Sequence, residues 1–223
     1  MGSVIGEMLP LAVGIAISPV PIIAAVLMLL SPRAMRTSLG FLVGWVFGIA
    51  AAVVLFTLLS STLPKQDSSG ASPVVAVIKL ILGVLLLLVA IRQWRGRPAE
   101  GETAELPTWM SAIDSMTSGK ALGLGFLLAA VNPKNLLLAI SAGVIAGGAG
   151  LDTGQVAVVL AIFVVLAAST VLVPVLAYLL ASARMSGPLD QLRAWLVDNN
   201  NAIMAVMLLV LGVAMIGKGI SAF

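Results

Sequence analysis

Two short stretches decide how this chain is read: Ile17-Ser18-Pro19-Val20-Pro21-Ile22 near the beginning and Val131-Asn132-Pro133-Lys134-Asn135-Leu136 past the middle. Each puts proline inside a run of apolar residues long enough to cross a bilayer. A helix needs roughly 20 apolar residues to traverse about 30 Å of hydrocarbon. Proline within such a helix removes a backbone donor and crowds the preceding turn. Both stretches are therefore expected to be breaks in membrane helices.

The surroundings support that setting. Of 223 residues 61% are apolar and 9% charged, whereas a soluble domain carries about a quarter charged residues. Windows of about 19 residues place spans near 4–30, 37–59, 74–91, 121–145, 156–180 and 202–220. Alternation with a period of two, the mark of a membrane barrel, is missing. The expected fold is all-α and integral to the membrane, with six transmembrane helices, of which helices 1 and 4 are broken. The first span is expected to be retained, because residues 1–9 hold Glu7 but no Lys or Arg leader and no cleavage-like site follows.

The basic residues give a direction. Arg33, Arg36, Arg92, Arg95, Arg97, Lys120, Arg184 and Arg193 fall in loops one, three and five, against Lys65 and Lys218 on the other side. The positive-inside rule then puts those loops in the cytoplasm and both termini outside, in a multi-pass protein of the inner (plasma) membrane. The same placement accounts for the net charge of +3 without nucleic acid. Residues 96–118 form the one substantial linker, with Trp109, Met110, Ile113 and Met116 at helical spacing as an interfacial helix. A second surface helix is expected over 189–196, with Leu192 and Trp195 on its apolar stripe.

The linker divides the chain into 1–95 and 119–223, each a three-helix repeat. Pro19 lies 15 residues beyond Val4 and Pro133 lies 12 beyond Ala121, so both reach mid-membrane at about 1.5 Å per residue. Leu80-Ile81-Leu82-Gly83-Val84 matches Leu209-Val210-Leu211-Gly212-Val213 in the third helices. Three spans per half is odd, so the halves enter the membrane oppositely, as inverted repeats. Paired broken helices in such repeats point to a transport site at the midplane.

The candidate substrate-binding residues are Ser18, Pro19, Pro21, Asn132, Pro133, Lys134 and Asn135. The prolines are expected to free the carbonyls of Ile15, Ile17 and Ala129 and to push Ser18 and Val20 from helical angles. Lys134 at mid-depth costs about 2.5–3.5 kcal/mol on insertion scales, and no Asp or Glu occurs at that depth. A site favouring an anionic group or exposed oxygens follows; the alternative is that carbonyls at the breaks hold Lys134 and that Ser and Asn merely patch two kinks. Glu7 and Lys79, at similar depth near the outer ends of helices 1 and 3, are candidates for a peripheral ion pair or gate, the alternative being that each snorkels to the interface. Gly40, Gly44 and Gly48 form a stripe for close helix packing. Thr170 lies one turn before Pro174 and is expected to compensate its lost backbone bond.

Several function classes drop out. The chain has neither Cys nor His, which removes disulfides, thiol relays and imidazole shuttles; neither a metal nor another cofactor is expected. It has no nucleotide-binding loop and its spans lack a Ser/His, paired-Asp or metal-ligand set, so an enzyme is not expected.

The motif pair resembles the lysine-exporter (LysE) superfamily, six-span proteins with a Pro motif in the first helix and Asn-Pro-Lys in the fourth. Ser18-Pro19-Val20-Pro21-Ile22, Leu30-Ser31-Pro32-Arg33-Ala34, Gly40-Phe41-Leu42-Val43-Gly44-Trp45 and Asn132-Pro133-Lys134-Asn135-Leu136-Leu137-Leu138 are similar to its GAP group, the sulfolipid/peptidoglycolipid-addressing proteins, over nearly the whole chain. The resemblance implies glycolipid export or surface delivery. It carries with it the lipid bilayer, a glycolipid or small anionic or polar substrate, and a homo-oligomer or lipid-export partners. The competing expectations are a non-transporting scaffold of a lipid-export complex and an exporter of amino acids or other small solutes; the lack of midplane acids speaks against an amino-group cargo.

Overall fold

A computed structural model describes residues 1–61, 73–96, 113, 115–181 and 186–221. Among the described residues all regular structure is helical: α1 (Gly2–Ala16), α2 (Pro19–Leu30), α3 (Ala34–Ser61), α4 (Pro73–Arg95), α5 (Ser118–Ala130), α6 (Pro133–Gly148), α7 (Thr153–Ala181) and α8 (Ser186–Ile220). The cause is the solvent the composition implies. In hydrocarbon each backbone group must find its partner within the segment, and a continuous helix of Leu, Ala, Val and Ile achieves that. Buried hydroxyls follow the same rule: Ser38 Oγ donates to Ala34 O (2.6 Å), Thr57 Oγ1 to Val53 O (2.7 Å) and Ser141 Oγ to Leu137 O (2.8 Å).

Four helices, α3, α4, α7 and α8, are individually long and apolar enough to cross a membrane. Two pairs qualify together, α1 with α2 bent by 52° and α5 with α6 bent by 61°. Large apolar side chains such as Phe47, Val173 and Leu180 stand exposed, as expected of a surface that meets lipid. A buried core of Met28, Phe41, Trp45, Leu86, Leu138, Phe163 and Leu208 lies inside.

Contacts set the directions. Ser118 Oγ donates to Arg36 O (2.9 Å) at the starts of α5 and α3, and Ser60 Oγ donates to Val144 O (3.4 Å) near the ends of α3 and α6; α3 thus runs parallel to the α5–α6 pair. Ile5, Met8 and Ala12 of α1 line one small cavity with Val159, Phe163 and Leu166 of α7, and further along both Ala16 is bonded by Thr170, so those helices are also parallel. Antiparallel α4 and α8 cross at Gly83 and Gly212. A Cβ on either glycine would lie 3.0 Å from the other's carbonyl oxygen. The expected glycine stripe on α3 is a true close approach: a Cβ on Gly44 would strike the Leu122 carbonyl, and one on Gly125 of α5 would strike that of Phe41.

One expected element differs. The surface helix over 189–196 is not separate but is the first part of α8, a 35-residue helix of about 52 Å. Its inner face is Leu189 and Leu196, both buried, whereas Trp195 is 56% exposed. The stripe read as Leu192 and Trp195 turns outward because Leu189 and Leu196, two turns apart, dock on the protein. Most of the linker helix, including Trp109 and Met110, lies outside the described residues, as do Lys65, Arg97 and Arg184; Ile113 is buried in the core.

Candidate functional site

The break between α1 and α2 starts at Ile17. Ser18 is extended (φ −73°, ψ 110°) and Pro19 takes the first position of α2, where its missing N–H would have had no helical partner. Pro21 also falls in the first turn, so Val20 stays helical, against expectation. A helix end leaves four carbonyls without intrahelical donors, and for α1 all four are accounted for. Val13 O accepts the Ile17 N–H (2.9 Å) and Ile15 O the Ser18 N–H (3.1 Å). Gly14 O accepts Lys134 Nζ at 2.7 Å, from α6. Ala16 O accepts the Thr170 hydroxyl, from α7.

The expectation that Ile15 would be left open is therefore corrected by one residue each way. As the chain leaves helical angles at Ser18, its N–H swings back three residues to Ile15, and the oxygens of Gly14 and Ala16 are the ones presented to other helices. Thr170 is also reassigned. It does not serve Pro174, through which α7 continues, but holds the end of α1.

The second break is built in the same way. Asn132 is extended (φ −60°, ψ 120°) and caps α6, its Oδ1 accepting the Lys134 N–H at 3.1 Å, with Pro133 again first in the helix. Asn135 Nδ2 reaches back to Leu128 O (2.9 Å) and caps α5. Pro133 is exposed, whereas Lys134 and Asn135 point inward at 2% and 1% exposure.

Lys134 lies at the positive end of α6, an unfavourable place for a cation, and its side chain reaches across to the negative end of α1. Its Nζ is thus seated on protein. Close to the two breaks stand polar atoms without partners among the described residues: Ser18 Oγ and Asn135 Oδ1, both buried. The arrangement offers one amine on a movable-length side chain, two unsatisfied oxygens and two helix ends that meet in the interior. Sequence reasoning brought Ser18, Lys134 and Asn135 to this region and missed Gly14 and Thr170; the Thr hydroxyl inside an apolar span was the available signal.

The peripheral pair is different from the one expected. Glu7 pairs with Lys218 at the end of α8 (3.3 Å), both about two-fifths exposed. Lys79 stands half-buried on α4 and is not the partner of Glu7. The salt bridge joins the start of α1 to the end of α8.

Neither a curated protein nor a solved structure matches the chain. A family model does, SfLAP, described as Sap, sulfolipid-1-addressing protein, over residues 8–221. That match takes in both breaks, the latter part of α1 and the seven helices that follow, and the chain, a multi-pass membrane protein by its apolar helices, belongs to the sulfolipid-1-addressing protein family.

Proposed function

We propose that this protein is a transporter of the bacterial inner membrane that moves a glycolipid, or another anionic or oxygen-rich solute, by alternating access at the two broken helices. The observation that carries the reading is the end of α1, where two of four terminal carbonyls are held by side chains from other helices, Lys134 and Thr170. Such bonds can be exchanged for bonds to a passenger. With Ser18 Oγ and Asn135 Oδ1 unpartnered nearby, an oxyanion or sugar hydroxyls would find both donors and acceptors. The family's name, sulfolipid-1-addressing protein, supports a lipid bearing an anionic group.

Six spans as two inverted repeats are part of the proposal, and the packing supports them. Exchange α1 with α5, α2 with α6, α3 with α7 and α4 with α8. The pair α3–α5 then becomes α7–α1, α3–α6 becomes α7–α2, α2–α8 becomes α6–α4 and α2–α3 becomes α6–α7, while α4–α8 and α3–α7 map onto themselves; all are packed pairs. The exceptions are also informative: α1 packs on α6 and α8, whereas α5 makes no comparable contact with α2 or α4. Repeats caught in unlike arrangements are what one state of an alternating cycle requires. Placement in the lysine-exporter superfamily, both termini outside, and the absence of an enzymatic step belong to this proposal.

The scaffold reading has one observation in its favour: Lys134 is fully seated on Gly14 O, as a purely structural residue would be. Purified protein in liposomes separates the two. A fluorescent anionic lipid, bleached from outside with dithionite, is expected to be carried across faster than in protein-free vesicles. Vesicles that move neither this lipid nor small anions, from a protein that copurifies with a pump or a synthase, would establish the scaffold.

A further inference from the structure

A groove of about 540 Å³ opens at the basic end of the molecule, away from the helix breaks, where α2 turns into α3 and α7 ends. Its lining includes Ser31, Pro32, Arg33, Arg36, Tyr178 and Leu179. That volume is within the range of ligand sites. Two arginines line it, and no carboxylate is among the described lining residues. Neither Arg33 nor Arg36 forms an ion pair among the described residues.

The backbone beneath the arginines is fixed. Arg33 O accepts the Thr37 hydroxyl (3.0 Å), Arg36 O accepts the Ser118 hydroxyl from α5 (2.9 Å), and the Ser31 hydroxyl is bonded to Met28 O (2.8 Å). Both arginines remain exposed. Two like charges three residues apart on one turn repel, and an anion bound by both relieves that repulsion. Guanidinium forks match the oxygens of phosphate and sulfate. Beside the groove the surface is apolar and open, with Met35 59%, Leu39 37% and Leu180 89% exposed. Tyr178, apolar in body and polar at its tip, is among the residues that line the groove.

We infer that this groove binds the anionic headgroup of a membrane lipid, phosphate or sulfate on Arg33 and Arg36, with the lipid's chains along Met35, Leu39 and Leu180. The apolar flank commits the groove to an amphiphile over a free ion. It lies at the end opposite Glu7 and Lys218, so it is a second site, distinct from the one at the breaks, and its occupation does not require transport.

Native mass spectrometry of the full chain tests this, with phosphatidylglycerol against phosphatidylcholine of the same chains. The wild type is expected to retain phosphatidylglycerol about tenfold better. The double variant Arg33→Gln/Arg36→Gln should fall to the phosphatidylcholine level with its melting temperature kept, Arg33→Lys/Arg36→Lys should keep part of the preference, and Lys120→Gln, an exposed lysine of the same end outside the groove, should leave it unchanged. Undiminished retention by the glutamine variant overturns the inference. So does equal loss in Lys120→Gln, which would make the effect one of general surface charge, and so does displacement of the lipid by sulfate at constant ionic strength, which would give the groove to a free anion. Because binding is read without movement, its failure leaves the carrier proposal standing, and a failed transport assay leaves the groove standing.

Discussion

Replacing Lys134 with Met removes the amine and keeps the length and apolar stem of the side chain. The bond from Nζ to Gly14 O is short, 2.7 Å, and Lys134 is 2% exposed; a bond of this kind from a charged donor contributes about 1.5–3 kcal/mol. Against that loss stands relief from burying a cation, which at the mid-membrane depth proposed for it costs about 2.5–3.5 kcal/mol. The terms offset to within about 2 kcal/mol, so Lys134→Met is expected to unfold at nearly the wild-type temperature in detergent. Lys134→Ala adds a cavity and should lose about 2–4 kcal/mol. In liposomes Lys134→Met should lower the rate of lipid translocation at least tenfold, a loss of about 1.4 kcal/mol in the barrier, because the passenger loses its cationic contact. A well-folded Met variant that carries lipid at the wild-type rate would refute the role given to the amine. A Met variant that lost more than about 3 kcal/mol of stability would show that the seat on Gly14 is the whole purpose of the residue.

Thr170→Val keeps the shape and strips the hydroxyl from Ala16 O; a stability loss of about 1 kcal/mol is expected in denaturant titration, with Thr170→Ser restoring it. Gly44→Ala drives a methyl into the Leu122 backbone, which cannot rotate away, and should cost about 1–3 kcal/mol or more, whereas Gly123→Ala on the facing helix, with open space around its Cβ position, should be neutral or stabilising by up to about 1 kcal/mol. Glu7→Gln breaks the ion pair with Lys218, and since both side chains are about two-fifths exposed its effect on melting should stay under about 1 kcal/mol; a larger change would mean that the pair acts as a gate.

The helices could be read from the sequence because hydrocarbon leaves the backbone little choice: the spans expected at 37–59 and 156–180 are within a few residues of Ala34–Ser61 and Thr153–Ala181. The breaks could be read because proline acts on its own neighbours, whatever the rest of the fold does. What escaped were partners chosen across space. Thr170 was assigned to Pro174 by a rule that counts four residues along one helix, yet its hydroxyl finds Ala16 on another. Glu7 was matched with Lys79 by depth alone, a coordinate that does not say which helices adjoin; α1 adjoins the end of α8, and Lys218 is there instead. The freed carbonyls were misplaced by one residue because the rule for proline presumes an otherwise ideal helix, and Ser18 had already left it. The second surface helix was read apart from α8 by its own apolar stripe, although the helix runs on without a break through the polar residues Asp198-Asn199-Asn200-Asn201.

The interlocked glycines of α3 and α5 have a mechanical consequence. With main chain against main chain at Gly44 and Gly125, neither rod has side chains there to act as a lubricating layer, and sliding one along the other would drive carbonyls into carbonyls. During any cycle the two must travel as one sled. The same holds for α6, whose Gly143 and Gly147 face the main chain of Phe56 and Thr57 on α3; α3, α5 and α6 are thereby bound into one body, and any larger parting of Lys134 from Gly14 falls to α1.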